Sequence, residues 1–171
     1  MNVTLSLITE NKKSVLRNLV KMYCYEWSQY NKIDIDKYGD YAFEHDLDRF
    51  FVKEKHYAYL VMINDNIVGF ILIDTDIEYY KESDYAISEF FILYKYRREG
   101  IGKRAALEVF KQHKGKWEIK MHPQNRGSIE FWKKVVAESA KNGDYKIKEE
   151  CKEAKYQDGS LGIIIGFETT E

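Results

Sequence analysis

Three apolar runs follow one another with almost nothing between them: "HYAYLVMI" (56–63), "IVGFILIDT" (67–75) and "DYAISEFFIL" (84–93). Runs this short, and this rich in Ile, Val, Phe and Tyr, predict strands. Only "NDN" parts the first two, and Asn and Asp accept the backbone of a tight turn, so they predict a hairpin. The third run extends it into a meander. A chain with this centre has to be built around an antiparallel sheet. The third run then gives way to "YKYRREGIGKRAALEVF" (94–110), where two arginines and two glycines precede a helical pattern.

The flanking sequence fills in the order. "VTLSLI" (3–8) alternates Val3, Leu5 and Leu7 and reads as an edge strand. Val15, Leu16, Leu19, Val20 and Tyr23 recur at helical spacing, with Asn11 or Ser14 available as cap. "NKIDIDKYGD" (31–40) is a polar loop, and 41–51 predicts a short second helix with Phe43, Leu47 and Phe50 on one face. After the glycine segment a helix runs to about Lys114, and "KWEIKM" (116–121) is a strand. Residues 125–140 form a helix, and strands cover roughly 145–152 and 161–168. The expected order is β-α-α-β-β-β-α-β-α-β-β, in which the βαβ step makes the sheet mixed.

With 171 residues and no Pro/Gly/Ser linker, residues 1–171 are expected to form a single domain. The net charge of −1 argues against nucleic acid as a partner. Apolar runs of seven residues are far short of the ~20 of a membrane span. The N-terminus lacks the basic and apolar regions of a signal peptide, and Cys24 and Cys151 make no disulfide framework, so a cytoplasmic protein with reduced thiols is expected. No histidine or cysteine spacing points to a metal. His122, before Pro123 at a strand end, could face the cleft, but reads first as a surface histidine.

Glycines that let backbone N–H groups approach an anion, next to a helix N-terminus, suit a phosphate. An ordinary tight strand-to-helix turn uses the same residues. A Walker loop needs Ser or Thr where Arg104 stands after Lys103. "GIGKRA" also fits the dinucleotide fingerprint, but that glycine directly ends its strand, whereas "YKYRRE" intervenes here, and Glu118 lies inside a strand. The remaining pattern is R-x-x-G-x-G, Arg97 to Gly102. Together with the apolar strand before it, this segment resembles the coenzyme A loop of the GNAT N-acetyltransferase superfamily. "NRGSIEFWKK" (125–134) is similar to the family's later N-x-x-A-x-x-F-Y segment.

The resemblance implies a GNAT-like α+β fold: a mixed, mostly antiparallel sheet of about seven strands flanked by about four helices. It implies acetyl-CoA as cosubstrate, without a metal, and direct transfer to the amine of a small molecule or peptide. A homodimer is possible by the same analogy, with no membrane partner. Coenzyme contacts are expected from the backbone of Phe91, Ile92 and Leu93, from Arg97, Arg98, Glu99, Gly100, Ile101, Gly102 and Lys103, and from Asn125 and Trp132. Asn125 equally reads as a helix N-cap. Trp132 stands where the family often has a tyrosine that protonates the leaving thiolate, and indole is a donor without useful acidity.

Glu89 is the candidate general base, between Ile87 and Phe91 on one face of an otherwise apolar strand. A carboxylate there is costly unless partnered or functional. An ion-paired or solvent-facing glutamate is the plain alternative. A non-catalytic acetyl-CoA sensor, favoured by the missing tyrosine, is the alternative function. Residues 34–48 hold six carboxylates against Lys37, which predicts an acidic wall attracting cationic acceptors; a solvated surface reads the same way.

Overall fold

The computed structural model describes residues 2–43, 46–52 and 54–170. The chain runs β1 (Val3–Leu7), α1 (Lys13–Asn31), α2 (Arg49–Val52), β2 (Tyr57–Ile63), β3 (Asn66–Asp74), β4 (Tyr85–Ile92), α3 (Ile101–Gln112), β5 (Lys116–Met121), α4 (Arg126–Ser139), β6 (Ala140–Lys155) and β7 (Leu161–Thr169). All seven strands join one sheet in the order β1-β2-β3-β4-β5-β7-β6. Only β4 and β5 run parallel. This is the mixed, mostly antiparallel sheet with four helices that the sequence predicts.

The sheet separates two cores. Strand alternation sends Tyr59 and Val61 to one face and Ala58 and Leu60 to the other. On the first face Ile101, Ala105, Val109, Trp132 and Val136 of α3 and α4 cover the strands. On the second, Leu16, Leu19, Val20 and Cys24 of α1 pack on Leu60, Phe70, Leu72 and Phe91. Gly69 permits the β3–β4 contact, since a Cβ there would lie 2.0 Å from Phe91 O.

Local details depart from expectation for identifiable reasons. Neither Asn11 nor Ser14 caps α1: Asn11 accepts from the Thr9 hydroxyl, and Ser14 lies inside the helix. The expected helix over 41–51 shrinks to Arg49–Val52, with Glu44 and His45 outside the described residues. β6 begins at Ala140, directly after α4, because the backbone leaves the helix at an extended residue. Residues 141–150 are all exposed, so no apolar alternation marked that start. Both cysteines are buried, and neither forms a disulfide. Among the described residues no helix is long and apolar enough to cross a membrane.

Candidate active site

β4 touches β5 for only three residues, Tyr85↔Trp117, Ala86↔Glu118 and Ile87↔Ile119. Beyond Ile87 it stays on β3 while its other edge opens. A bulge marks the same point: Leu72 pairs with Glu89 and Ile73 with Ile87, leaving Ser88 extra. The bulge corrects one expectation. Ile87 goes to the α3/α4 core and Phe91 to the α1 core, so the two do not share a face. Glu89 faces α1, where its carboxylate accepts a hydrogen bond from Tyr23. Burial first, and this carboxylate second, push the Tyr23 hydroxyl well above its ordinary range. Tyr23 itself packs edge-on against Phe70 and Phe91.

The open edge of β4 offers less backbone than expected. Leu93 donates to Val68 O (2.8 Å) and its carbonyl accepts from Tyr96 N (2.9 Å). Ladder alternation spends Phe91 on Phe70 in the same way. Ile92 presents its N–H to the gap, while its carbonyl accepts from Arg97 Nε at 2.7 Å. The Arg97 guanidinium also pairs with Glu26 of α1 at 2.7 Å, so its charge is held against the protein. Lys103 is likewise paired, with Glu138 of α4 at 2.5 Å.

The α3 N-terminus is different. Arg98 and Gly100 take left-handed backbone (φ 65° and 72°), and no side chain caps the helix. The first N–H groups of a helix have no internal acceptor, so those of Ile101, Gly102 and Lys103 point out of the turn. Glu99 O is used by Arg104 (3.1 Å), which pins the loop, while Arg98 stays exposed beside it. A Cβ on Gly102 would sit in ordinary contact with Phe131 and Ile92, at 3.4 and 3.5 Å.

Asn125 is the N-cap of α4, accepting from Ser128 N at 3.1 Å. Trp132 is buried against Phe90 and Phe131. Both also line a cavity of about 300 Å³ that lies beside the β4–β5 opening and reaches Glu89 and Ser88. The Ser88 hydroxyl is buried with no hydrogen-bond partner among the described residues.

Several cavity residues escape sequence reasoning because distant segments bring them together. Glu118, only 2% exposed, accepts the N–H groups of Glu78, Tyr79 and Tyr80 and so fastens the β3–β4 connection. His122, which reads first as a surface histidine, is buried and lines the cavity, as its cleft-facing alternative has it: Nδ1 accepts from Gln124 N, and Nε2 meets Ser160 Oγ at 3.0 Å. Burial pulls its pKa down, opposed by Asp158. Trp27, Tyr30 and Tyr156 surround its ring. His56, Asp74 and Asp76, without any recognised spacing, place donor atoms within 4.8 Å of one another, and Arg49 contacts both carboxylates. One guanidinium thus stands against two carboxylates there.

Among the described residues of 34–48 no carboxylate lines the cavity, and Glu44 lies outside the described residues. Asp36 accepts N–H groups of its own turn, Asp40 pairs with Lys21 at 2.8 Å, and Asp48 pairs with Lys13 at 2.6 Å. The described residues of 34–48 that line the cavity are Tyr41, Ala42 and Phe43.

A strand that splays at a bulge onto an uncapped helix, with a glutamate on the cavity side, matches a known class. Residues 19–136 match the model of the acetyltransferase (GNAT) family, and the chain belongs to that family. An acetyltransferase from Thermus thermophilus shares the fold with a TM-score of 0.68 at 15% identity, over 98% of this chain and 97% of that one. Spermidine N-acetyltransferase from Vibrio cholerae, solved with CoA and spermine, also gives 0.68, at 9% identity over 98% and 95%. A GNAT acetyltransferase from Elizabethkingia anophelis with acetyl-CoA bound gives 0.58, at 14% identity over 98% of both chains. No curated protein matches the chain by sequence.

Proposed function

We propose that this acetyltransferase moves the acetyl group of acetyl-CoA directly onto a primary amine of a small molecule or peptide, with Glu89 as general base. The observation that carries the reading is the open edge of β4, which leads from the cavity holding Glu89 to the bare N–H groups of α3. Those N–H groups and the exposed Arg98 hold the pyrophosphate, whose charge the helix dipole favours. Arg97 and Lys103 support the loop through Glu26 and Glu138 instead of reaching phosphate. Ile92 N–H pairs with the pantetheine arm along the gap, and the Asn125 side-chain amide, whose oxygen is taken by Ser128 N, presents its NH₂ to the same arm.

In the reaction the amine nitrogen bonds to the thioester carbonyl carbon and the C–S bond breaks. Glu89 takes the amine proton, directly or through one water, and Tyr23 holds the carboxylate in position. Trp132 supplies no proton, and a thiolate with an ordinary pKa of ~8.5 leaves without one.

Two measurements test the reading. Acetyl-CoA is expected to raise the melting temperature, because a ligand of the native state stabilises it by mass action. Free thiol is expected to appear when mixed primary amines are added. A shift without thiol release from any amine favours the sensor reading, and no shift at millimolar acetyl-CoA overturns both.

A further inference from the structure

Almost every charge that lines the cavity is answered from within the protein. Glu118 accepts three backbone N–H groups. Asp74 and Asp76 are held by Arg49 and His56. Glu78 accepts from the Tyr79 hydroxyl, and Glu89 from Tyr23. Lys120 is the exception. It lines the cavity, is half-buried, and has no carboxylate within ion-pair distance among the described residues. Its ammonium rests instead on two aromatic faces, 4.4 Å from the Tyr156 ring centre and 5.8 Å from that of Tyr79. Ring faces hold a cation but do not neutralise it.

Its place in the fold sets which part of a ligand it can meet. Ile119 is the last β5 residue paired with β4, so Lys120 stands at the vertex of the splay. Trp117, Ile119 and Met121 point into the α3/α4 core, and alternation sends Lys120 to the α1 side, where Glu89 also faces. The two strands are about 5 Å apart at the vertex and diverge beyond it. Glu89 and Lys120 thus line one cavity from two diverging strands.

We propose that the acceptor is an amino acid, bound as a zwitterion, with its carboxylate on Lys120 and its amine beside Glu89. Tyr23, Trp27, Tyr41 and Phe43 give the wall an aromatic part, which suits an aromatic or large aliphatic side chain, while Arg49, Asp74, Glu118 and His122 line it elsewhere. A cavity of about 300 Å³, at the small end of ligand sites, fits one residue and not an extended peptide. This inference rests on the proposed acetyl transfer and narrows its acceptor. It also reverses the expectation of cationic acceptors drawn from residues 34–48.

The test compares phenylalanine, phenylalaninamide and phenethylamine as acceptors for the intact protein with acetyl-CoA. Phenylalanine is expected to have a kcat/KM about tenfold to a hundredfold above the other two, the range for a charge-assisted contact. Lys120→Met is expected to collapse that ratio, Lys120→Arg to retain it, and Lys120→Glu to invert it. A wild-type ratio near one, or a ratio that survives Lys120→Met, overturns the inference while leaving the acetyl-transfer reading intact. If acetyl-CoA binds but no amine releases thiol, the transfer reading fails, and the anchor is judged by calorimetry with N-acetylphenylalanine and its amide. Tighter binding of the acid, lost in Lys120→Met, supports the anchor; equal affinities overturn it.

Discussion

The two ends of β4 solve opposite problems. From Tyr85 to Ile87 the strand is paired on both edges, and the carboxylate of Glu118 beside it fastens the loop that enters the strand. From Glu89 to Ile92 it is paired on β3 alone. A buried strand edge without partners carries a desolvation cost for each idle N–H or carbonyl. The protein limits that cost by using Ile92 O for Arg97 and both backbone groups of Leu93 elsewhere. The closed end holds the sheet together, and the open end leaves the Ile92 N–H turned to the gap.

The contrast is broken most completely at the helix N-terminus. Gly102→Glu is expected to abolish binding of acetyl-CoA, since the longer side chain has to pass Phe131 and Ile92 and brings negative charge to the phosphate position. Unchanged affinity in a folded variant removes the loop from the site. Glu89→Gln is expected next, lowering kcat by ~10²–10⁴ at neutral pH and less at high pH, where more amine is already neutral. A pH–rate profile parallel to wild type excludes Glu89 as base. At the closed end, Glu118→Ala strands three N–H groups and is expected to cost about 3 kcal/mol in urea unfolding. A loss below about 1 kcal/mol shows that the loop finds other acceptors.

Two smaller effects sharpen the comparison. Arg98→Ala is expected to weaken acetyl-CoA by about 1.5 kcal/mol with stability unmoved, whereas Arg97→Ala lowers stability by about 1 kcal/mol. The reverse assignment restores Arg97 as the phosphate contact. Last is a pH effect far from the ligand. Burial lowers the pKa of His113, whose Nε2 shares a hydrogen bond of 2.8 Å with the Tyr59 hydroxyl. The folded state therefore prefers the neutral ring. Its contribution is complete above the ordinary value near 6.5 and is lost as pH falls through the lower folded value. His113→Gln is expected to flatten that acid-side loss in a melting-temperature series; an identical slope assigns it elsewhere.

What could be read from the chain follows the range of the interactions. The meander, the order of elements and the glycine segment depend on neighbouring residues, and their patterns are local: short unbroken apolar runs, a turn of Asn64 to Asn66, glycines before a helix. The partners of individual side chains are not local. Arg97 finds Glu26 seventy-one positions away, His122 finds Ser160 thirty-eight away, and Tyr23 reaches Glu89 from the first helix. No spacing rule announces such pairs. The bulge at Ser88 turned a correct strand into a wrong face for Ile87, because one extra residue inverts the alternation beyond it. In residues 34–48 composition records charge and not that Asp36, Asp40 and Asp48 are already bonded to their own turn, to Lys21 and to Lys13.

The cavity wall has a consequence for how such a protein changes over generations. Tyr41 and Phe43 lie on an irregular segment, Tyr79 on the connection between β3 and β4, and Tyr156 just beyond the end of β6. None is part of a strand ladder, and none belongs to the α3 N-terminus. Given the proposed acceptor site, exchanging any of them is expected to alter which acceptor fits while leaving the donor side and the closed end of β4 as they are, so that acceptor choice and acetyl transfer can vary separately on one scaffold.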